Sequence, residues 1–277
     1  MSPLSDPPCS SRSLPRETSV LYEVHGGVAH VTLHRPHVSN AIDVDLARSL
    51  DEAIRRADAD PAAGAVLLSG TGRVFCAGGD IAAMNAASDR PAFLASLATA
   101  AHGAVRAMEA LTKPLVAAVQ GTAAGAGFSF VLGADIVLAG RSAKFVTAYT
   151  SIGLTPDGGL SWLLPRAVGQ QRALELLMTS APLDAERAQT LGIVNRVCDD
   201  PDVAGTAHDL AVRLAARPTR ALGEARRLVR SSWAHTLEAH LDQEAETIAR
   251  VSAGDEAAAL MARFLDRPSA RSEGRVR

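Results

Sequence analysis

Ala77-Gly78-Gly79-Asp80 and Gly125-Ala126-Gly127 are the two glycine-rich turns whose reading decides the fold of this 277-residue chain. Each follows an apolar, strand-like run: Ala65-Val66-Leu67-Leu68 before the first and Leu115-Val116-Ala117-Ala118-Val119 before the second. Each also leads into a segment expected to be helical. A turn entering a helix leaves backbone N–H groups without an intrahelical partner, with the positive end of the helix dipole behind them. Two such junctions set side by side can grip one oxygen carrying negative charge, which is an oxyanion hole. Glycines also serve plain tight turns and close packing, so the turns alone leave both roles open.

Working outward, periodicity predicts two short strands within Val20 to Leu33 around Gly26-Gly27, then an amphipathic helix from Asp43 to Asp58. A strand over Ala65 to Ser69 leads to the first turn. The stretch Ala92 to Leu111 reads as a long helix ending before Lys113-Pro114. Strand Leu115 to Val119, the second turn, a helix over Phe128 to Leu132 and a strand over Asp135 to Ala139 repeat the unit. Such alternation argues for a largely parallel α/β core. Past Asp200 the strand signal stops, and from Val203 the sequence is Ala-, Arg- and Glu-rich and helical. The expected organisation is a tail over 1–17, a core over 18–200 and a C-terminal helical region over 201–277.

Composition narrows the function classes. With 47% hydrophobic and 21% charged residues the chain can bury a sizeable core. A net charge of −2 gives no signal for nucleic acid or a polybasic membrane contact. Three scattered cysteines, Cys9, Cys76 and Cys198, make no disulfide framework and suit a reducing, cytoplasmic setting. Met1 to Arg16 is rich in Pro and Ser without an apolar stretch, which reads as a disordered tail and not a signal peptide. No run approaches the ~20 apolar residues that span a bilayer.

The words around the turns carry a resemblance. Gly72-Arg73-Val74-Phe75-Cys76-Ala77-Gly78-Gly79-Asp80-Ile81 and Lys113-Pro114-Leu115-Val116-Ala117-Ala118-Val119-Gln120-Gly121 resemble signature segments of the crotonase, or enoyl-CoA hydratase/isomerase, superfamily. Arg35-Pro36 followed by Asn40-Ala41, and the later Ala185 to Asn195, occur in the same order, so the likeness runs from about Val20 to Asp266. It implies the crotonase (ClpP-like) fold, repeated strand–turn–helix units forming a spiral β core. It also implies an acyl-CoA thioester substrate, no cofactor beyond the CoA of that substrate, and a homotrimer or a hexamer of paired trimers. The stripe of Leu210, Leu228, Leu237, Ile248 and Phe264 suits such assembly, although stripes of this kind also simply complete a monomer core.

Carried over position by position, the resemblance makes the amides of Gly79 and Ala126 the oxyanion donors for the thioester carbonyl. Removing a proton alpha to a thioester builds negative charge on that oxygen, and a preorganised donor there is worth ~3 kcal/mol of barrier. The resemblance lines the CoA with Arg35, Ala41, Ala77, Gly78, Asp80 and Ile81, and sets Gly125 beside the second donor. Asp80 can equally be a plain helix cap.

The proton-transfer groups depart from the hydratase pattern. Hydratases of this superfamily hold the added water with two glutamates, and the matching positions here are Ser129 and Tyr149. Neither is a carboxylate base near neutral pH. Both are therefore expected to line the acyl pocket instead. Asp157, in Pro156-Asp157-Gly158-Gly159, is the remaining carboxylate, though Pro-Asp-Gly is also ordinary turn and cap chemistry. The run Phe145 to Arg166 resembles the ring-epoxide isomerase branch, from phenylacetate breakdown, in which an aspartate at this turn is the acid/base. One base that takes a proton from one carbon and returns it to another suffices for a double-bond shift.

Other candidates are weaker. His30, His34 and His37 alternate along a strand and its exit and do not converge, so no metal site is expected. Cys76 has no identifiable activating base and reads as a small buried thiol. Gly125-Ala126-Gly127 lacks the third glycine of a dinucleotide fingerprint, because Phe130 stands there. The sequence thus points to an acyl-CoA isomerase with Asp157 as shuttle. A hydratase holding water by Tyr149, Ser129 or Asp157 and a low-turnover acyl-CoA-binding protein are the alternatives.

Overall fold

A computed structural model of the chain describes residues 18–266, so the expected tail over 1–17 and the last residues lie outside it. In chain order the strands are β1 (Val20–His25), β2 (Val28–Leu33), β3 (Ala65–Gly70), β4 (Leu115–Val119) and β5 (Thr122–Ala124). Then follow β6 (Ile136–Gly140), β7 (Lys144–Val146), β8 (Leu183–Asp184) and β9 (Arg196–Cys198). The first helices are α1 (Val44–Ala59), α2 (Ile81–Ala86), α3 (Arg90–Ala110), α4 (Ala126–Leu132), α5 (Leu160–Val168) and α6 (Gln170–Thr179). The later ones are α7 (Ala185–Thr190), α8 (Val203–Ala215), α9 (Thr219–Ser231), α10 (Leu237–Ser252) and α11 (Asp255–Leu265).

A six-stranded sheet runs in the order β1-β2-β3-β4-β6-β9, antiparallel at the β1–β2 hairpin and parallel elsewhere. A three-stranded sheet, β5-β7-β8, turns off it and gives the core its spiral course. The central strands read as unbroken apolar runs because both of their faces are covered. Val66, Leu68, Leu115, Ala117 and Val119 join the main core with α1, α3 and α4. Their alternating neighbours Ala65, Leu67, Val116 and Ala118 meet Val203, Ala207 and Ala211 of α8 on the other face.

Three local features differ from the sequence reading. α4 begins at Ala126 rather than Phe128, so Ala126 is its first helical residue. The short strands β5 and β8 carry too few residues to show a period-two pattern and were not expected. α8 covers the sheet, whereas α10 and α11 carry exposed apolar residues such as Leu237, Ile248 and Phe264.

Asp135 and Arg226 fasten the last helices to the site-bearing part of the fold. The Asp135 carboxylate accepts from the Leu115 N–H at 2.8 Å and pairs with Arg226 and Arg230, each at 2.8 Å. Arg226 also donates to the carbonyls of Met108, Glu109 and Leu111, at the C-terminal end of α3. It thereby caps carbonyls that have no intrahelical partner, at the negative end of the helix dipole. Arg226→Met leaves Asp135 and those carbonyls underpaired. It should lower unfolding free energy by ~3 kcal/mol in urea titration, the range for breaking a buried pair.

Candidate active site

The first glycine turn is wired by a buried asparagine and a half-buried arginine. Asn40 is fully buried, accepts from the Arg35 N–H at 2.8 Å, and donates to the carbonyls of Thr71, Val74 and Phe75. The Arg35 guanidinium holds the Ala41 carbonyl and pairs with Asp43 at 3.1 Å and Asp80 at 3.5 Å. Those two aspartates cap α1 and α2 through the N–H groups of Leu46 and Ala83. Arg35 therefore ties two helix starts to one loop.

Parallel pairing then exposes an amide. The Ile42 N–H donates to the Gly78 carbonyl at 2.7 Å, and the Asp80 N–H donates to the Ile42 carbonyl at 2.9 Å. This leaves the N–H of Gly79 on the opposite edge of the strand. In the second turn Gly125 takes φ 53°, ψ −124°, a backbone state that a side chain opposes. It places the N–H of Ala126 at the first position of α4. Among the described residues neither the Gly79 nor the Ala126 N–H has a protein acceptor. The turns lie side by side: the Cys76 N–H donates to the Thr122 carbonyl at 3.1 Å, and the Ala124 N–H to the Cys76 carbonyl at 2.9 Å.

Both amides line one cavity of about 270 Å³. Its apolar walls include Met84 and Leu154, with Ala95, Ala98 and Ala101 from α3, and its polar wall holds Tyr149 and Asp157. The Tyr149 hydroxyl donates to Oδ1 of Asp157. Burial first, then the Asp157 carboxylate, push the Tyr149 phenol far above its ordinary range, so it remains a donor. Asp157 caps no helix, because α5 starts after Gly159 without a side-chain cap. Its carboxylate is the only one on the cavity wall among the described residues.

The matching family model is described as enoyl-CoA hydratase/isomerase and spans residues 23–274. The chain belongs to the enoyl-CoA hydratase/isomerase, or crotonase, family. It is 40% identical over 227 residues to the 1,2-epoxyphenylacetyl-CoA isomerase of Escherichia coli, covering 81% of this chain and 87% of that protein. It is 34% identical to the 4-chlorobenzoyl coenzyme A dehalogenase-2 of an Arthrobacter species, covering 80% and 81%. A crystal structure of an enoyl-CoA hydratase from Polaromonas superposes with a TM-score of 0.86 at 34% identity, covering 89% of this chain and 96% of that one.

Against the crotonase pattern, the structure brings Gly79, Ala126, Tyr149 and Asp157 to one cavity. Arg35, Ala41, Gly78, Asp80 and Gly125 lie behind that wall, where Arg35 and Asp80 shape the loop, while Ala77 and Ile81 are exposed on the turn. Ser129 corrects the sequence reading, because it lines no part of the cavity. It is fully buried behind it, with its hydroxyl 3.4 Å from the Asp157 carbonyl. The two positions that hold glutamates in hydratases thus both turn toward Asp157.

The remaining candidates fall elsewhere. His30 packs against His208 and His25, with ring centroids 5.1 Å and 5.6 Å away, while His34 meets the Thr71 hydroxyl. Among the described residues no three His, Cys, Asp or Glu side chains gather as a metal site. Burial pushes the Cys76 thiol up to about 12, as suits a packing residue. His102 of α3, which accepts from the Gly158 N–H at 3.3 Å, gave no sequence signal, because a lone histidine on a helix has no pattern.

Ser129 and Tyr149 hydrogen-bond to Asp157 through their side chains, and neither supplies an oxyanion amide. Ser129→Ala and Tyr149→Phe should therefore leave the dissociation constant for a non-reactive acyl-CoA, measured calorimetrically, within about tenfold of wild type, or ~1.4 kcal/mol.

Proposed function

We propose that this crotonase is an acyl-CoA isomerase that shifts a double bond, or rearranges a ring epoxide, in a CoA thioester. The observation that carries the reading is a cavity holding two free backbone amides and a single carboxylate, Asp157. The thioester oxygen would sit between the amides of Gly79 and Ala126. Asp157 would take a proton from the alpha carbon, and the electron pair left behind would delocalise onto that oxygen as an enolate. Stabilisation would arise because the donors are already fixed. The protonated Asp157 then returns the proton to the gamma carbon, which moves the double bond into conjugation and regenerates the carboxylate. CoA enters as part of the substrate, and these steps call for no further cofactor.

From α3 the cavity is lined by Leu94, Ala95, Leu97, Ala98 and Ala101, and it includes the flexible end of Met84, so the acyl chain would meet an apolar wall. The similarity to an epoxyphenylacetyl-CoA isomerase supports a ring-bearing acyl group. The proposal extends to assembly: the exposed Trp233, Leu237, Leu241, Ile248, Phe264 and Leu265 would be covered by further copies of this chain in a homotrimer or hexamer.

Hydrogen exchange at the alpha and gamma carbons of 3-enoyl-CoA esters in heavy water tests the mechanism. Asp157→Asn should bind ligand and fold normally, yet lose ~100-fold or more in exchange rate. Exchange at wild-type rate in this variant would remove Asp157 from catalysis. Efficient hydration of crotonyl-CoA by the wild type would favour the hydratase reading, and tight binding without exchange or hydration would favour a binding protein. Light scattering should give a multiple of 28.8 kDa corresponding to three or six chains, and a monomer at micromolar concentration would refute the assembly.

A further inference from the structure

The peptide joining Asp157 to Gly158 is gripped at both of its edges. Its carbonyl accepts from the Leu160 N–H at 3.0 Å and from the Ser129 hydroxyl at 3.4 Å. Its N–H donates to Nε2 of His102 at 3.3 Å. As the acceptor, that nitrogen offers its lone pair to the Gly158 N–H.

The grip adds to the Tyr149 hydroxyl, which holds the carboxylate of Asp157 but not this peptide. Gly158 has φ 58°, so on its Gly158 side this peptide lacks the restraint that a Cβ would give. A flip would break the bonds that moor Asp157 to the start of α5. His102 blocks it from the α3 side. It directly follows Ala101, a wall residue of the cavity, and its bond to Gly158 is the one hydrogen bond between α3 and this turn among the described residues. Together with the Tyr149 hydroxyl, the bond thus helps to set how far the Asp157 carboxylate stands from the α3 wall.

We infer that His102 is a positioning residue of the proton-transfer site, acting through the Asp157–Gly158 peptide and touching no substrate. The inference rests on the reading of Asp157 as the shuttle. A misplacement of about 1 Å in a proton-transfer group costs up to ~100-fold in rate.

The test compares steady-state exchange of 3-enoyl-CoA hydrogens in heavy water for wild type, His102→Leu, His102→Gln and Asp157→Asn, with thermal melting of each. His102→Leu should lower kcat by ~10- to 100-fold, with KM within about twofold and the melting temperature essentially unchanged. His102→Gln offers an acceptor oxygen near the place of Nε2 and should recover most of kcat. If the leucine variant does not fold, His102→Asn, whose amide falls short of Gly158, takes its place with the same expected loss. Wild-type kcat in His102→Leu or His102→Asn overturns the inference, as does equal loss in the glutamine variant together with a lowered melting temperature. Full exchange in Asp157→Asn would instead overturn the reading of Asp157, whereas an inert Asp157→Asn beside an unimpaired His102→Leu overturns the role of His102 alone.

Discussion

Two backbone hydrogen bonds through Cys76 hold the halves of the site together. One half follows β3 and the other follows β5, and the pairing of Cys76 with the segment Thr122–Ala124 sets their turns side by side. The requirement is demanding because both turns present amides left without a protein partner. An unpaired donor out of water costs ~1–3 kcal/mol, so neighbouring structure must prevent the loop from closing on itself. Arg35, Asn40 and the Ile42 pairing do this for Gly79, and the backbone state of Gly125 does it for Ala126. The buried Cys76 thiol lies beneath this seam, next to Gly127, where there is no room for a side chain.

Around that seam the polar groups form one connected set. Tyr149 donates to the carboxylate of Asp157, the Ser129 hydroxyl reaches its carbonyl, and His102 holds the next amide. Under the proposed reading, the positions matching the hydratase glutamates support a different carboxylate, and Asp157 is the one carboxylate on the cavity wall among the described residues.

Much of the fold was legible in the sequence, and specific residues show where legibility ended. The runs at Ala65–Leu68 and Leu115–Val119 are apolar on both faces because α8 covers the second one, and that pattern announces a parallel strand. Asp43, Asp80 and Asp89 mark helix starts by their own chemistry. β5 and β8 were hidden, since strands of two or three residues leave no period. The glycine turns and Asp157 were readable through the resemblance, but the true place of Ser129 was not. Its distance from the cavity depends on how α4 is rotated, and only tertiary packing decides that. His102 was silent for the same reason.

Asp157 and the α3 alanines lie on the wall of one narrow chamber, and the proposed chemistry has a handedness as a result. A planar enolate lying against α3 can present only one of its faces to a carboxylate fixed by its turn. The hydrogen removed and the hydrogen returned must then cross that same face, a suprafacial transfer. Configuration at the new centre would be written by the position of a single carboxylate.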